Sequence, residues 1–135
     1  MAIKDFQKTV RSFGGYVLSD GTCNLQHLLP KAFDLIRHYN LRGQAVRIAH
    51  NIVTSFRFEE GYEFDPKHSG LFAAQYHGHA TLIEDDFVCI EVNNWLWGES
   101  VCDFFNHIAP SGYYFGTSEG DGACYGWFKV EDDRE

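Results

Sequence analysis

No apolar run in the 135 residues approaches the roughly 20 needed to cross a bilayer, so no membrane span is expected. Internal repeats, low-complexity tracts and Pro/Ser-rich linkers are also missing, which leaves one domain over residues 1–135. The four cysteines, Cys23, Cys89, Cys102 and Cys124, lie at least 13 positions apart. That spacing excludes a C-x-x-C metal knuckle and suits free, buried thiols in a reducing compartment. Residues 1–10 include Lys4, Asp5 and Lys8 and lack a continuous apolar stretch, so a signal peptide is not expected and a cytoplasmic location is the default.

Basic residues are nearly absent from the second half. Residues 70–135 hold Lys129 and Arg134 against twelve Asp/Glu, a net charge of −10, whereas residues 1–69 carry nine basic and seven acidic side chains, a net +2. A protein must bring cations to phosphates to hold them, so this charge split disfavours direct nucleic-acid binding, and none is expected. It favours a protein partner with a basic surface, since complementary fields steer encounter.

What is plentiful is apolar and aromatic: 44% hydrophobic residues and 16% aromatic argue for a packed core built on rings. Ile3, Phe6, Val10 and Phe13 recur at helical intervals before Gly14-Gly15. Leu25, Leu28, Leu29, Ala32, Phe33, Ile36 and Tyr39 define a second helix with Asn24 as N-cap, and Pro30 should kink or restart it. A third helix reads from Gln44 to Phe56, with Val46, Ala49, Ile52, Val53 and Phe56 on its inner stripe. Ala80–Ile83 and Phe87–Val92 read as short strands around the turn Glu84-Asp85-Asp86. Trp97, Val101, Phe104, Phe105 and Ile108 mark another helix, and Tyr113–Gly116 and Ala123–Val130 a closing pair of strands. The expected fold class is α+β: about three helices with a small antiparallel sheet. Leu28, Phe33, Ile52, Val53, Phe104 and Ile108 are the expected core.

The most distinctive stretch follows that last helix, with Ala109-Pro110, Tyr114-Phe115-Gly116, Gly120-Asp121-Gly122 and Gly126-Trp127-Phe128. Its four glycines between 116 and 126 predict backbone at positive φ or close main-chain approach. This stretch, with Asp20-Gly21-Thr22-Cys23 and Leu28-Leu29-Pro30-Lys31-Ala32-Phe33, resembles a family of small uncharacterised proteins of bacterial plasmids and phages. The resemblance covers about 45 residues in two blocks. It implies a mobile-element origin and no particular activity.

Catalytic patterns are weak. Asp-Gly-x-Cys occurs at Asp20–Cys23 and Asp121–Cys124, and the first resembles the Asp-Gly-Asn-Cys element of ovarian-tumour-type deubiquitinases, where the cysteine opens a helix. A thiol hydrolase built on Cys23 would need His77 or His79 as base and Asp85 or Asp86 to orient it. The same His77-x-His79 pair with His68, Asp85 or Asp86 is the alternative metal-dependent hydrolase, but no third ligand is defined. The glycine-rich loop lacks the Gly-Lys-Ser/Thr of a phosphate-binding loop. The expectation is therefore a non-enzymatic protein with no metal or cofactor. It would bind a macromolecular partner through Glu84, Asp85, Asp86, Glu119, Asp121, Tyr114 and Trp127, as an inhibitor of a host defence or nucleic-acid-handling complex whose acidic surface occupies a basic channel by imitating phosphate spacing.

Overall fold

The computed structural model describes residues 2–59, 80–118 and 121–130. Helix α1 (Ala2–Phe13) ends where Gly14 takes φ 68°, a left-handed conformation that lets Gly15 N–H reach back to the Val10 carbonyl at 2.9 Å. Strand β1 (Tyr16–Ser19) follows directly. Helix α2 (Leu25–His38) starts on Asn24, whose side-chain oxygen accepts from Gln26 N–H at 3.0 Å. It runs through Pro30 as one helix instead of restarting there; the proline is buried. The link 39–43 turns the chain into α3 (Gln44–Thr54).

Two small antiparallel sheets accompany the helices. Strands β2 (Phe56–Phe58) and β3 (Ala80–Leu82) pair in the register Phe56–Leu82 and Phe58–Ala80. The outer edge of β3 is taken up by a side chain: Gln26 of α2 donates to the Ala80 carbonyl at 2.8 Å and accepts from Leu82 N–H at 2.7 Å. One amide thus stands in for a missing neighbouring strand. Strands β4 (Tyr113–Ser118) and β5 (Asp121–Lys129) form the closing hairpin, and β1 joins its other side to give the order β1-β5-β4.

Between the sheets runs a continuous helical rod: α4 (Phe87–Trp95), a π-helical stretch (Leu96–Val101) and α5 (Cys102–His107). Cys102 N–H donates to the Trp97 carbonyl, five residues back, the wider bonding that defines the π turn. The described residues thus form an α+β fold with four helical rods, at the four places where helical spacing was read. The hairpin expected at 80–92 is not formed. Ala80–Leu82 pairs with Phe56–Phe58, and Phe87 onward is helical because Asp86 caps it, accepting from Cys89 N–H at 2.8 Å. Short β-branched and aromatic runs read equally as strand or helix, and here the cap decides.

The core is continuous from α1 to β5. Trp127 on the central strand is fully buried, with its ring centroid 4.6 Å from Phe6 and Phe115 and 5.0 Å from Phe105. Its indole N–H donates to the Phe105 carbonyl at 2.8 Å. Leu28, Phe33, Ile52, Phe104 and Ile108 are buried as expected, but Val53 is only half-buried and Val46 is exposed. The inner stripe of α3 is Ala45, Ile48, Ala49 and Ile52, turned from the expected one because both faces of this helix carry apolar residues.

The glycines of the closing hairpin have a packing explanation. Gly116 and Gly126 lie directly opposite each other on β4 and β5, and neither has positive φ. The Tyr114 ring lies over Gly116, and the Phe128 ring over Gly126, the two ring centroids 6.0 Å apart. A Cβ at Gly126 would overlap the Tyr16 carbonyl oxygen and sit 2.9 Å from Val17 Cα, both backbone. At Gly116 it would meet only the Tyr114 ring, at 3.3 Å. In chemical denaturation Gly126→Ala is therefore expected to destabilise by about 1–3 kcal/mol as an overpacked site. Gly116→Ala, where a side chain can move aside, is expected to lose clearly less; equal losses would contradict the close approach of β1.

Candidate functional site

Helix α4 is oriented with its apolar side outward. Of Phe87–Trp95 the buried residue is Asn93, whose side-chain amide donates to the Ile83 carbonyl at 2.9 Å. Phe87 is 71% exposed, Val88 66%, Trp95 52% and Val92 51%. At 3.6 residues per turn, Phe87, Glu91 and Trp95 follow one another along the outer side, with Val88 and Val92 alongside. A helix docked on a protein ordinarily does the reverse, burying its apolar stripe and leaving amides in water. The π turn marks where the reversal ends: beyond it Leu96, Trp97, Val101, Phe104 and Phe105 are all buried.

Carboxylates surround this outward face. Between Glu84 and His107 there are six Asp/Glu and no Lys or Arg, so the face lies in a strongly negative field. Glu84, Asp85 and Asp86 immediately precede the helix and are exposed, as is Glu91. They are not equivalent. Asp85 is paired with Arg57 of β2 at 2.5 Å, both side chains being more than half exposed. Arg57 holds the Asp85 carboxyl below the usual carboxylate range, by hydrogen bond first and charge second. Asp86 is lowered chiefly by the hydrogen bond from Cys89 N–H. Two of the three acids expected to form a free turn are thus committed to structure, an ion pair and a helix cap.

The other expected residues separate from this group. Trp127 is not a surface residue; it is fully buried at the centre of the core, because inner-face positions of the central strand alternate toward the helices. Tyr114 is half-buried on the opposite face of that sheet, its hydroxyl donating to the Thr117 carbonyl at 3.3 Å. Glu119 and the side chain of Asp121 lie outside the described residues. The sequence reading missed Phe87, Val88, Val92 and Trp95, because a strand assignment hid their common helical side.

Among the described residues the thiol and metal readings gain no assembled site. Cys23 is exposed just outside the α2 cap, with its thiol donating to the Gly122 carbonyl at 3.3 Å. His68, His77 and His79 lie outside the described residues. Cys124 is buried in β5. Burial, with Asp103 adding to it, pushes the Cys102 thiol up to about 12, and hydrogen bonding to Asp86 raises that of Cys89, so both are held protonated. Among the described residues no three His, Cys, Asp or Glu side chains are grouped as a metal would need. No described helix is long and apolar enough to cross a membrane.

Comparison of the chain with protein-family models, curated proteins and solved structures finds no match.

The cap on α4 is testable by pH. A carboxyl whose folded pKa is depressed favours the folded helix above its unfolded value of about 3.9, and that contribution disappears as pH falls through the lower folded pKa. The Cys89 amide resonance is therefore expected to titrate below the ~3.9 of an unperturbed Asp. In Asp86→Asn, which keeps the capping oxygen and removes the charge, this titration should vanish while the helix persists. An unchanged titration in that variant would remove Asp86 as the cap.

Proposed function

We propose that this is a non-enzymatic binding protein that docks a basic partner protein through the outward face of α4. The single observation that carries the reading is that this helix leaves Phe87, Val88, Val92 and Trp95 exposed while it buries Asn93. Exposing Phe87, Val88, Val92 and Trp95 together costs apolar hydration that a solitary fold has no reason to accept. Covering them against a groove returns it, in the manner of helix-in-groove recognition. Trp95 and Phe87 are suited to be the anchors, since large rings dominate interface energies. Glu84, exposed just before the helix, and Glu91, exposed between Phe87 and Trp95, would meet Lys or Arg of the partner and set its orientation.

The resemblance of the closing hairpin and of the α2 region to plasmid and phage proteins points the choice of partner toward host machinery. A host defence or nucleic-acid-handling complex offers the basic channel that a row of carboxylates beside an apolar stripe would enter. The division of labour differs from a purely acidic mimic: rings supply affinity, and charges supply approach and register.

The test is affinity capture from a bacterial host lysate, followed by titration of the captured protein. Trp95→Ala is expected to weaken binding by about 2 kcal/mol or more, roughly thirty-fold, as for an interface anchor. Its effect on folding stability should stay within about 0.5 kcal/mol, because the ring is half in water. Glu84→Lys with Glu91→Lys should mainly slow association, and raised salt should do the same to the wild type. A partner whose binding tolerates Trp95→Ala and both charge reversals would place the interface elsewhere. Self-association lost in Trp95→Ala would instead make a second copy of the chain the occupant.

A further inference from the structure

One ring on the outward face of α4 stands between two carboxylates. Trp95 is 52% exposed and is the last residue of α4, where the rod passes into its π turn. Glu91 precedes it by four residues and Glu99 follows it by four, and both are exposed. In an α-helix four residues make one turn and about 40° more, so Glu91 lies slightly to one side of Trp95. A second α-helical turn would carry Glu99 by the same angle to the other side. The π turn closes only after five residues, as in the bond from Cys102 N–H to the Trp97 carbonyl, so Glu99 stops short of a full turn. Both carboxylates therefore fall on the same side of Trp95, one turn before it and one turn after.

This setting favours a cation. The face of an indole attracts positive charge, and carboxylates on either side add to that attraction. From Glu84 to His107 the chain carries six Asp/Glu, all exposed, and no Lys or Arg. Arg57, which pairs with Asp85, stands at the other end of α4 from Trp95. Of the two basic side chains, only arginine uses ring and carboxylates together. Its guanidinium is planar, so it can lie flat on the indole while its N–H groups point outward in its own plane. Helical residues four apart hold their Cβ atoms roughly 5–6 Å apart, which brings carboxylates within reach of those N–H groups. A lysine ammonium is a compact, strongly hydrated point charge and meets either the ring or a carboxylate.

We propose that Trp95, Glu91 and Glu99 form the receptor for one arginine side chain of the partner protein, stacked on the indole and hydrogen-bonded to the two carboxylates. Resting on the docking reading above, this receptor specifies what the docked protein must carry. Phe87, Val88 and Val92 cover apolar surface of any shape that fits, whereas the arginine at Trp95 selects the partner. Glu84, at the far end of the helix, contributes field and no contact with this arginine.

Titration of the full chain with synthetic peptides, followed by NMR of the Trp95 indole N–H and the α4 backbone amides, tests the receptor. The probe is a blocked, alanine-based helical peptide with leucines on two successive turns and one arginine on the next. Its counterparts carry lysine or citrulline there; citrulline keeps the planar shape and loses the charge. The arginine peptide is expected to bind with a Kd on the order of 1 mM or tighter, about fivefold better than the citrulline peptide and about threefold better than the lysine one. Glu91→Gln with Glu99→Gln should abolish that preference and leave citrulline binding unchanged. Glu84→Gln, which removes one charge, should preserve it. Trp95→Leu, which keeps an apolar side chain, should make arginine and lysine equivalent. Equal binding of the three peptides with shifts still centred on α4 would overturn the arginine receptor and leave the docking face standing. A preference lost as readily in Glu84→Gln would reduce it to a general field and overturn it too. Arginine-dependent shifts that map away from α4, or no saturable shift from any peptide, would overturn both.

Discussion

The structure depends on one indole. Trp127 is the point at which α1, β1, β4 and the helical rod meet, through Phe6, Tyr16, Phe115 and Phe105. The edge-on ring arrangements fit the aromatic quadrupole, and the buried N–H is satisfied by the Phe105 carbonyl, so the ring can be buried entirely without a stranded donor. Everything near it is arranged to permit this. Gly126 lets the backbone of β1 approach beside it, and Asn106 beyond Phe105 accepts from Phe115 N–H at 3.2 Å, tying the rod to the same sheet.

Because the core closes around Trp127, the start of the rod is left outside it. The segment from Leu96 onward contributes apolar side chains inward, whereas α4 buries Asn93, whose amide donates to the Ile83 carbonyl. Ile83 is held in turn by its N–H bond to the Ser55 carbonyl, extending the β2–β3 pairing. The helix is thus placed by hydrogen bonds and released from packing, which leaves its rings outward. The physical content of the proposed function is this separation of what positions α4 from what α4 presents.

The charge asymmetry acquires a spatial meaning as well. The negative half surrounds α4, and the positive half supplies Arg37 and Arg42 beside an open pocket between α2 and α3. Arg57 joins the halves by charge, reaching from β2 to Asp85. At an exposed site such a pair adds little stability, so its visible effect is to remove one carboxylate from the acidic rim.

Local patterns determined much of this chain. The period of Leu25–Ile36, the Asn24 cap, the break at Gly14-Gly15 and the pairing of the two C-terminal strands all rest on neighbours a few residues apart, which a sequence displays. The acidic field around Glu84–Asp86 was equally legible, being a matter of composition. Tertiary structure decided the rest. Whether Ala80–Leu82 paired with Phe87–Val92 turned on β3 finding β2 and the Gln26 amide as its two edges. Which side of α3 was inner turned on the pocket beside α2, since both sides are apolar. Trp127 and Trp95 have the same side chain and different fates, one enclosed and one half in water. Only the packing of elements distant in the chain separates them, because burial is a property of what covers a residue and not of the residue itself.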